Sequence, residues 1–260
     1  MHRIVRYRGG SFESLELPVV EEQSLTIFVN GRELATLQCT PTKLDCLVLG
    51  FLSFEGIIEG LEEIRLLEVF PEDAVADVRL NKEFTPPRRR IFTSGCTGGI
   101  TFGMPMEGFQ AFPEEATLHP EQAFALMKQL YAEARLYRES RGIHAAAMAD
   151  GEKLILVAED VGRHNALDKI LGEALLRGIS TAGNILLSTG RISSEMLRKG
   201  AHMRTPFVLS RTSPTILAIQ AAKRFGITVI GYVRGEGFNV YSHPERLLPQ
   251  RVEVANVPPA

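Results

Sequence analysis

The chain of 260 residues is 45% hydrophobic and 23% charged, a composition typical of a globular protein with one large domain or two small ones. Its formal net charge of −2 argues against a nucleic-acid-binding protein, because such proteins need a basic surface. No stretch approaches the roughly 20 apolar residues that cross a bilayer, the N-terminus lacks the apolar run of a signal peptide, and three cysteines are too few for a disulfide framework. We therefore expect a cytoplasmic protein that binds neither nucleic acid nor a membrane.

The first part of the chain predicts a strand-rich unit with one helix. Asn30-Gly31 lies between two strand-like runs and predicts a hairpin with a type I′ turn, since both residues tolerate a positive φ. Leu44, Leu47 and Phe51 recur at helical spacing. The predicted elements are strands over 15–20, 25–39 (with the turn inside), 64–70 and 75–80, and a helix over 42–55.

From residue 120 onward, short apolar strands alternate with helices, a pattern typical of a layered α/β domain. Pro120 at a first turn starts a long helix, to which we assign a scaffold role, and Ser213 is expected to cap the last helix, which ends at Gly226. The predicted helices are 120–140, 165–177, 193–203 and 213–226, and the predicted strands are 153–158, 184–188, 206–209 and 228–233. The chain thus predicts an α/β fold with a smaller β-rich domain over 1–115 and an α/β domain over 116–260.

Cys96 lies in a loop of small residues within the smaller domain. Gly95, Gly98 and Gly99 leave its sulfur uncrowded, and arginines 88–90 precede it. Cationic charge and N–H groups turned toward a thiol lower its pKa, and only the thiolate is a nucleophile. The loop could therefore expose a reactive thiolate, hold an anionic ligand, or both. The alternative is a tight turn with an incidental cysteine.

The other two cysteines are interpreted as structural. Cys46 lies inside a predicted helix, and Cys39 at a strand end stands at a spacing from it that matches no usual zinc pair. His144 stands among alanines with no Cys or His at ligand spacing. We predict no metal ligated by the protein.

Four polar loops follow predicted strands of the second part, where ligands bind in α/β sheets. The loops contain Arg163, Arg191, Arg211 and Arg234. Arginines and hydroxyls at helix starts suit a phosphate, although N-capping and local ion pairs also explain part of each loop. The loop over 232–239 adds an aromatic ring and glycines, which could stack on a base. Together the loops predict a nucleotide-like or phosphate-bearing ligand.

Read together, these loops resemble the formate dehydrogenase accessory sulfurtransferase family, of FdhD type. The most specific matches are Glu-Asp-Val-Gly-Arg-His-Asn from residue 159 and Arg-Ile-Ser-Ser-Glu-Met from residue 191. The matching segments are 94–96, 142–146, 159–169, 190–196, 213–215 and 239–241.

The resemblance implies that Cys96 accepts sulfur from a cysteine desulfurase as a persulfide. The sulfur then passes to the guanine-nucleotide-containing molybdenum cofactor, molybdenum bis(molybdopterin guanine dinucleotide), before that cofactor enters formate dehydrogenase. The resemblance also implies a homodimer whose larger domain is similar to the cytidine deaminase fold. The family's cofactor-binding segment maps to Tyr232, Val233, Arg234, Gly235, Glu236 and Gly237. Arg191 and Arg234 are our candidate phosphate contacts.

One departure from the family pattern leaves alternatives open. The family usually has Cys-x-x-Cys where this chain has Cys96 and Gly99, so a two-thiol relay is absent, although one thiol can still carry a persulfide. The leading hypothesis is a sulfurtransferase, and the alternative is a molybdenum-cofactor binding chaperone without sulfur transfer. A zinc deaminase is disfavoured, because His144 is followed by alanines and not by the x-Glu of those enzymes. The loop over 159–169 either shapes the cofactor pocket or braces the Cys96 loop.

Overall fold

In the computed structural model, which describes residues 1–86, 91–92, 100–101, 112 and 115–247, the first part of the chain is rich in strands. Its elements are β1 (His2–Arg8), β2 (Ser11–Leu17), β3 (Gln23–Val29), β4 (Arg32–Cys39), α1 (Leu44–Phe54), β5 (Ile64–Phe70) and β6 (Val75–Leu80). β1 and β2 form a separate antiparallel hairpin. The other strands form one sheet in the order β4-β3-β6-β5, in which β3 and β6 run parallel. This sheet and α1 enclose the first hydrophobic core.

The turn between β3 and β4 confirms the predicted hairpin. Asn30 has a φ of 49° and Gly31 a φ of 77°, and Val29 pairs with Arg32 across the turn. The predicted bounds of β5 and β6 match the structure. Strand β1 was not predicted, and β2 begins at Ser11 instead of residue 15.

The second part of the chain forms a six-stranded mixed sheet with helices on both faces. Its elements are α2 (Pro120–Glu133), α3 (Arg135–Ser140), β9 (His144–Ala149), β10 (Leu154–Asp160), α4 (Arg163–Leu176), β11 (Ile185–Ser188), α5 (Ser194–His202), β12 (Phe207–Ser210), α6 (Ile216–Phe225), β13 (Thr228–Arg234) and β14 (Gly237–Val240); the pair β7 (Ile91–Phe92) and β8 (Ile100–Thr101) precedes them. The strand order is β10-β9-β11-β12-β13-β14, with β11, β12 and β13 parallel. Helices α4, α5 and α6 cover one face and α2 the other, which gives two further cores.

Two predictions about this part were wrong in detail, and two strands were missed. The single helix over 120–140 is two helices that meet at Ala134, because the Glu159 carboxylate accepts hydrogen bonds from the backbone N–H groups of Leu136 (3.1 Å) and Tyr137 (2.6 Å) and starts a new helix there. Helix α6 is capped by the hydroxyl of Thr215, not by Ser213. Strands β9 and β14 were not predicted.

Helices α1 and α4 join the two parts at very short range. A Cβ on Gly50 would lie 1.8 Å from the carbonyl oxygen of Asp168, and a Cβ on Gly172 would lie 1.8 Å from the carbonyl oxygen of Cys46. The two helix backbones therefore touch, and only glycine fits at both positions. The predicted domain boundary after residue 115 remains a prediction. Within the described ranges, no helix has the length and apolarity needed to cross a bilayer.

Candidate functional site

Two of the three cysteines are unsuited to sulfur chemistry. Cys39 is fully buried and Cys46 is 6% exposed. Burial raises the pKa of each thiol to about 12, and a nearby carboxylate adds to the effect: Asp160 for Cys39 and Asp45 for Cys46. At neutral pH neither thiol forms an appreciable amount of thiolate, which is the form that attacks sulfur.

The third cysteine, Cys96, lies outside the described residues, as do arginines 88–90 and the glycines beside Cys96. The residues on either side of 93–99 are described and form a pair of strands. Ile91 pairs with Thr101 and Phe92 with Ile100 in the antiparallel pair β7–β8. Residues 93–99 thus connect two paired strands, and the predicted reactive loop starts and ends at neighbouring points.

A groove of about 740 Å³ opens between β13, the end of β12 and helices α2 and α3. Its cationic side chains are Lys128, Arg141, Arg211 and Arg234, and its aromatic side chains are Phe124, Tyr131 and Tyr137. Among the described residues, no acidic side chain lines it. Arginines suit phosphate oxygens and aromatic rings suit the face of a base, so the groove has the chemistry of a nucleotide site.

Contacts between its walls hold the groove's arginines in place. The Arg234 Nε donates a hydrogen bond to the carbonyl oxygen of Arg211 at 2.8 Å. The Arg211 guanidinium lies over the Tyr131 ring, with 5.3 Å from its central carbon to the ring centroid. Tyr131 and Tyr137 meet edge to face at 6.3 Å between centroids. The Arg211 guanidinium thus lies over a groove ring, and the Arg234 guanidinium, bonded to the Arg211 backbone, lies over the Tyr232 ring at 5.9 Å.

The predicted cofactor-binding segment enters this groove in part. Val233, Arg234 and Gly235 line it, whereas Tyr232, Glu236 and Gly237 do not. The segment was predicted as a loop after the last strand, but it is the end of β13, a turn, and the start of β14. Tyr232 has a φ of 56° and is 42% exposed.

Arg191, the second predicted phosphate contact, is exposed after β11 and is not among the lining residues. Arg211, which the sequence placed in a separate loop, does line the groove. The wall from α2 and α3 was missed, because we assigned that helix a scaffold role. The signal that could have found it is the composition of this stretch, in which Tyr131, Tyr137 and Arg141 combine aromatic rings with a cation.

The loop over 159–169 has a structural role that is visible in its contacts. Asp160 and Lys169 are both fully buried, and the Lys169 Nζ lies 2.6 Å from the Asp160 Oδ2. Lys169 also donates to the carbonyl oxygen of Thr40 (3.0 Å), and the Thr40 backbone N–H donates to Asp160 (3.1 Å). The Asn165 amide donates to the carbonyl oxygen of Gln38 at 2.7 Å. These bonds join the end of β4 to the second sheet, in what we call the buried junction.

In the part of the chain that the structure describes, no three His, Cys, Asp or Glu side chains come together as a group that could hold a metal ion.

Comparison with known proteins finds relatives that match nearly the whole chain. The FdhD/NarQ family matches residues 20–248. The chain is 38% identical over 251 residues to the sulfur carrier protein FdhD of Staphylococcus aureus (strain MRSA252), covering 94% of this chain and 95% of that protein. The same identity holds over 251 residues for the sulfur carrier protein FdhD of Bacillus subtilis (strain 168), with 93% and 95% covered.

A solved structure also superimposes on the whole fold. The crystal structure of a protein from Desulfotalea psychrophila, described as a formate dehydrogenase accessory protein, has a TM-score of 0.78 and 30% sequence identity. It covers 95% of this chain and 98% of its own. The mixed α/β architecture is thus shared along nearly the full length.

Proposed function

Because the chain belongs to the FdhD/NarQ family, we propose that it is a sulfur carrier protein that supplies sulfur during the maturation of formate dehydrogenase. The observation that supports a one-thiol mechanism is the burial of Cys39 and Cys46, each with a pKa of about 12. Of the three cysteines in the chain, Cys96 is then the carrier.

The loading step follows from thiol chemistry. The Cys96 thiolate attacks the terminal sulfur of a persulfide on a cysteine desulfurase. A new S–S bond forms at Cys96, the donor's S–S bond breaks, and the donor cysteine leaves as a thiolate. No oxidant is consumed, and no second cysteine is needed for loading. Gly99 in place of a thiol therefore does not prevent this step.

The groove is the proposed site for the acceptor, molybdenum bis(molybdopterin guanine dinucleotide), which is cargo and not a resident cofactor. The guanine base lies against Tyr131 or Tyr137, and the phosphates meet Arg211 and Arg234. Four cations, with no acidic side chain among the described lining residues, support an anionic occupant. A cavity of about 740 Å³ has the size of a small-molecule site.

Several expectations complete this proposal. The partners are a cysteine desulfurase and formate dehydrogenase, the protein acts in the cytoplasm, and two copies form a homodimer. The domain division at residue 115 and the likeness of the larger domain to cytidine deaminases are part of the same proposal.

The second candidate is a chaperone that binds the molybdenum cofactor without transferring sulfur. Gly99 motivates it, because the family's second thiol is absent.

A complementation experiment separates the two candidates. Formate dehydrogenase activity is measured in cells that lack their own family member and produce wild type, Cys96→Ala or Cys46→Ala. The carrier predicts loss of activity only with Cys96→Ala, while the buried Cys46 serves as the matched control. Full activity with Cys96→Ala, at equal protein levels, would support the chaperone.

A further inference from the structure

A second polar cluster lies at the same edge of the six-stranded sheet as the groove, on the face covered by α4 and α5. His144 begins β9, and Gly190 follows the neighbouring strand β11. A Cβ on Gly190 would lie 3.1 Å from the His144 Nδ1 and 3.2 Å from the Arg163 Cβ, so these three residues are in contact. Arg211 of the groove follows the next strand, β12. The loops that carry Gly190 and Arg211 thus follow neighbouring strands, which lie about 4.8 Å apart, and the groove lies on the opposite face of the sheet, against α2 and α3.

The buried ring of His164 is the unusual member of this cluster. His164 is only 8% exposed, yet within the described part of the chain neither ring nitrogen has a hydrogen-bond partner. Its Nδ1 lies 3.4 Å from the Glu195 Oε1, but the pair does not have hydrogen-bond geometry. Buried polar atoms are nearly always bonded, and each one left unbonded lowers stability. When neutral, such a ring has one unused N–H donor and one unused nitrogen acceptor, and the donor suits an anion.

The surrounding backbone favours an anion at this position. Helix α4 begins after Gly162 without a side-chain cap, and His164 lies in its first turn. Helix α5 begins after Ser193, whose hydroxyl oxygen accepts a hydrogen bond from the Met196 N–H, and Glu195 lies in its first turn. First-turn N–H groups have no partner within their own helix and attract negative charge. Because the His164 and Glu195 side chains are 3.4 Å apart, the first turns of α4 and α5 lie next to each other.

The protonation states are compatible with such a ligand. Burial, with the charges of Lys199 and Arg163, holds the pKa of His164 well below its ordinary value, so the ring is neutral and has one N–H to donate. Burial also raises the pKa of Glu195. Lys199 is itself paired with the buried Asp168.

We propose that the first turns of α4 and α5, with His164 and Glu195, form a binding subsite for a compact anionic group, separate from the nucleotide groove. Resting on the proposed function, its natural occupant is the sulfur-accepting end of the cofactor whose guanine nucleotide lies in the groove. A ligand that crosses the sheet edge near Gly190 reaches both sites.

The binding claim is tested with inorganic phosphate as the probe. Full-length protein labelled with ¹⁵N-histidine is titrated while the ring signals are followed by NMR, with His164 assigned from the His164→Gln variant. Phosphate is expected to shift the His164 signals saturably, also when guanosine diphosphate fills the groove. By isothermal calorimetry, His164→Gln should weaken phosphate binding at least fivefold. Glu195→Gln should strengthen it about fivefold, since it removes a competing carboxylate.

The control is His2→Gln, at an exposed position in the N-terminal hairpin, which should leave phosphate binding unchanged. Thermal unfolding followed by circular dichroism shows whether each variant is folded. Absence of saturable shifts at His164 in wild type would overturn the subsite. Displacement of phosphate by guanosine diphosphate would also overturn it, because one site would then explain both ligands.

A second readout connects the subsite to sulfur transfer. His164→Gln should still acquire persulfide sulfur at Cys96 but deliver it to the cofactor at least tenfold more slowly. Unchanged delivery in a variant that has lost phosphate binding would overturn the assignment to the cofactor. Failure of Cys96 to load in wild type would refute the proposed function instead, and phosphate binding at His164 does not depend on that step.

Discussion

The buried junction and the nucleotide groove are both built from charged residues of strand-end loops, and they differ in where the opposite charge lies. In the junction, Asp160 and Lys169 have no exposed surface and pair with each other at 2.6 Å. In the groove, the Arg234 Nε donates a hydrogen bond to the carbonyl oxygen of Arg211. No carboxylate among the described residues lines the cavity. A charge that is paired inside the fold holds the structure together, whereas an unbalanced set of cations remains available for an anionic ligand.

The largest effect is expected from breaking the junction. Lys169→Met removes the partner of a fully buried carboxylate and should lower the free energy of unfolding by about 3–5 kcal/mol, measured by urea denaturation. The matched control is Arg135→Met, which removes an exposed ion pair with Glu139 and should change stability by about 0.5 kcal/mol or less. A loss below about 1 kcal/mol for Lys169→Met would mean that the pair does not support the fold.

A smaller loss of stability is expected where helices α1 and α4 touch. Gly172→Ala places a Cβ against the carbonyl oxygen of Cys46 and should cost about 1–3 kcal/mol, because the helix backbones must move apart. Gly142→Ala is the control, since its Cβ would meet only a Val20 methyl at 3.5 Å. Equal urea midpoints for the two variants would contradict the close contact of α1 and α4.

The smallest effect concerns the groove and is measured as ligand affinity. Arg211→Ala should weaken binding of guanosine diphosphate about tenfold, or about 1.4 kcal/mol, by isothermal calorimetry. Arg138→Ala, exposed on α3 and not among the lining residues, is the control and should leave the affinity unchanged. Wild-type affinity should also fall as salt is raised, since the attraction is partly electrostatic. If Arg211→Ala binds as tightly as wild type, the groove is not the nucleotide site.

The sequence predicted those elements that can be recognised from their own residues, without contacts from distant parts of the chain. Strands β5 and β6 are short runs rich in apolar and branched residues, and their predicted bounds match the structure. Strand β9 was missed because alanine has a weak strand preference, so its sequence His-Ala-Ala-Ala-Met-Ala carries little strand signal. The break between α2 and α3 depends on the carboxylate of Glu159, which arrives from a distant strand and leaves no mark on the helix sequence.

The candidate site was likewise predicted only in part. The β13 side of the groove was predicted because Arg234 and Gly235 form a recognisable motif, whereas Tyr131 and Tyr137 become groove residues only when α2 and α3 pack beside β13. The junction was harder still. Lys169 and Asp160 have the composition of a ligand site, and only the approach of Thr40 from the other sheet shows that their partners are internal.

Intact-protein mass spectrometry after incubation with a cysteine desulfurase and cysteine tests the central claim most directly. Wild type should gain one sulfur atom, Cys96→Ala should gain none, and Cys46→Ala should gain the same mass as wild type, because the buried thiols have a pKa of about 12 and do not react. A sulfur adduct that persists in Cys96→Ala would contradict the account and move the carrier to Cys39 or Cys46.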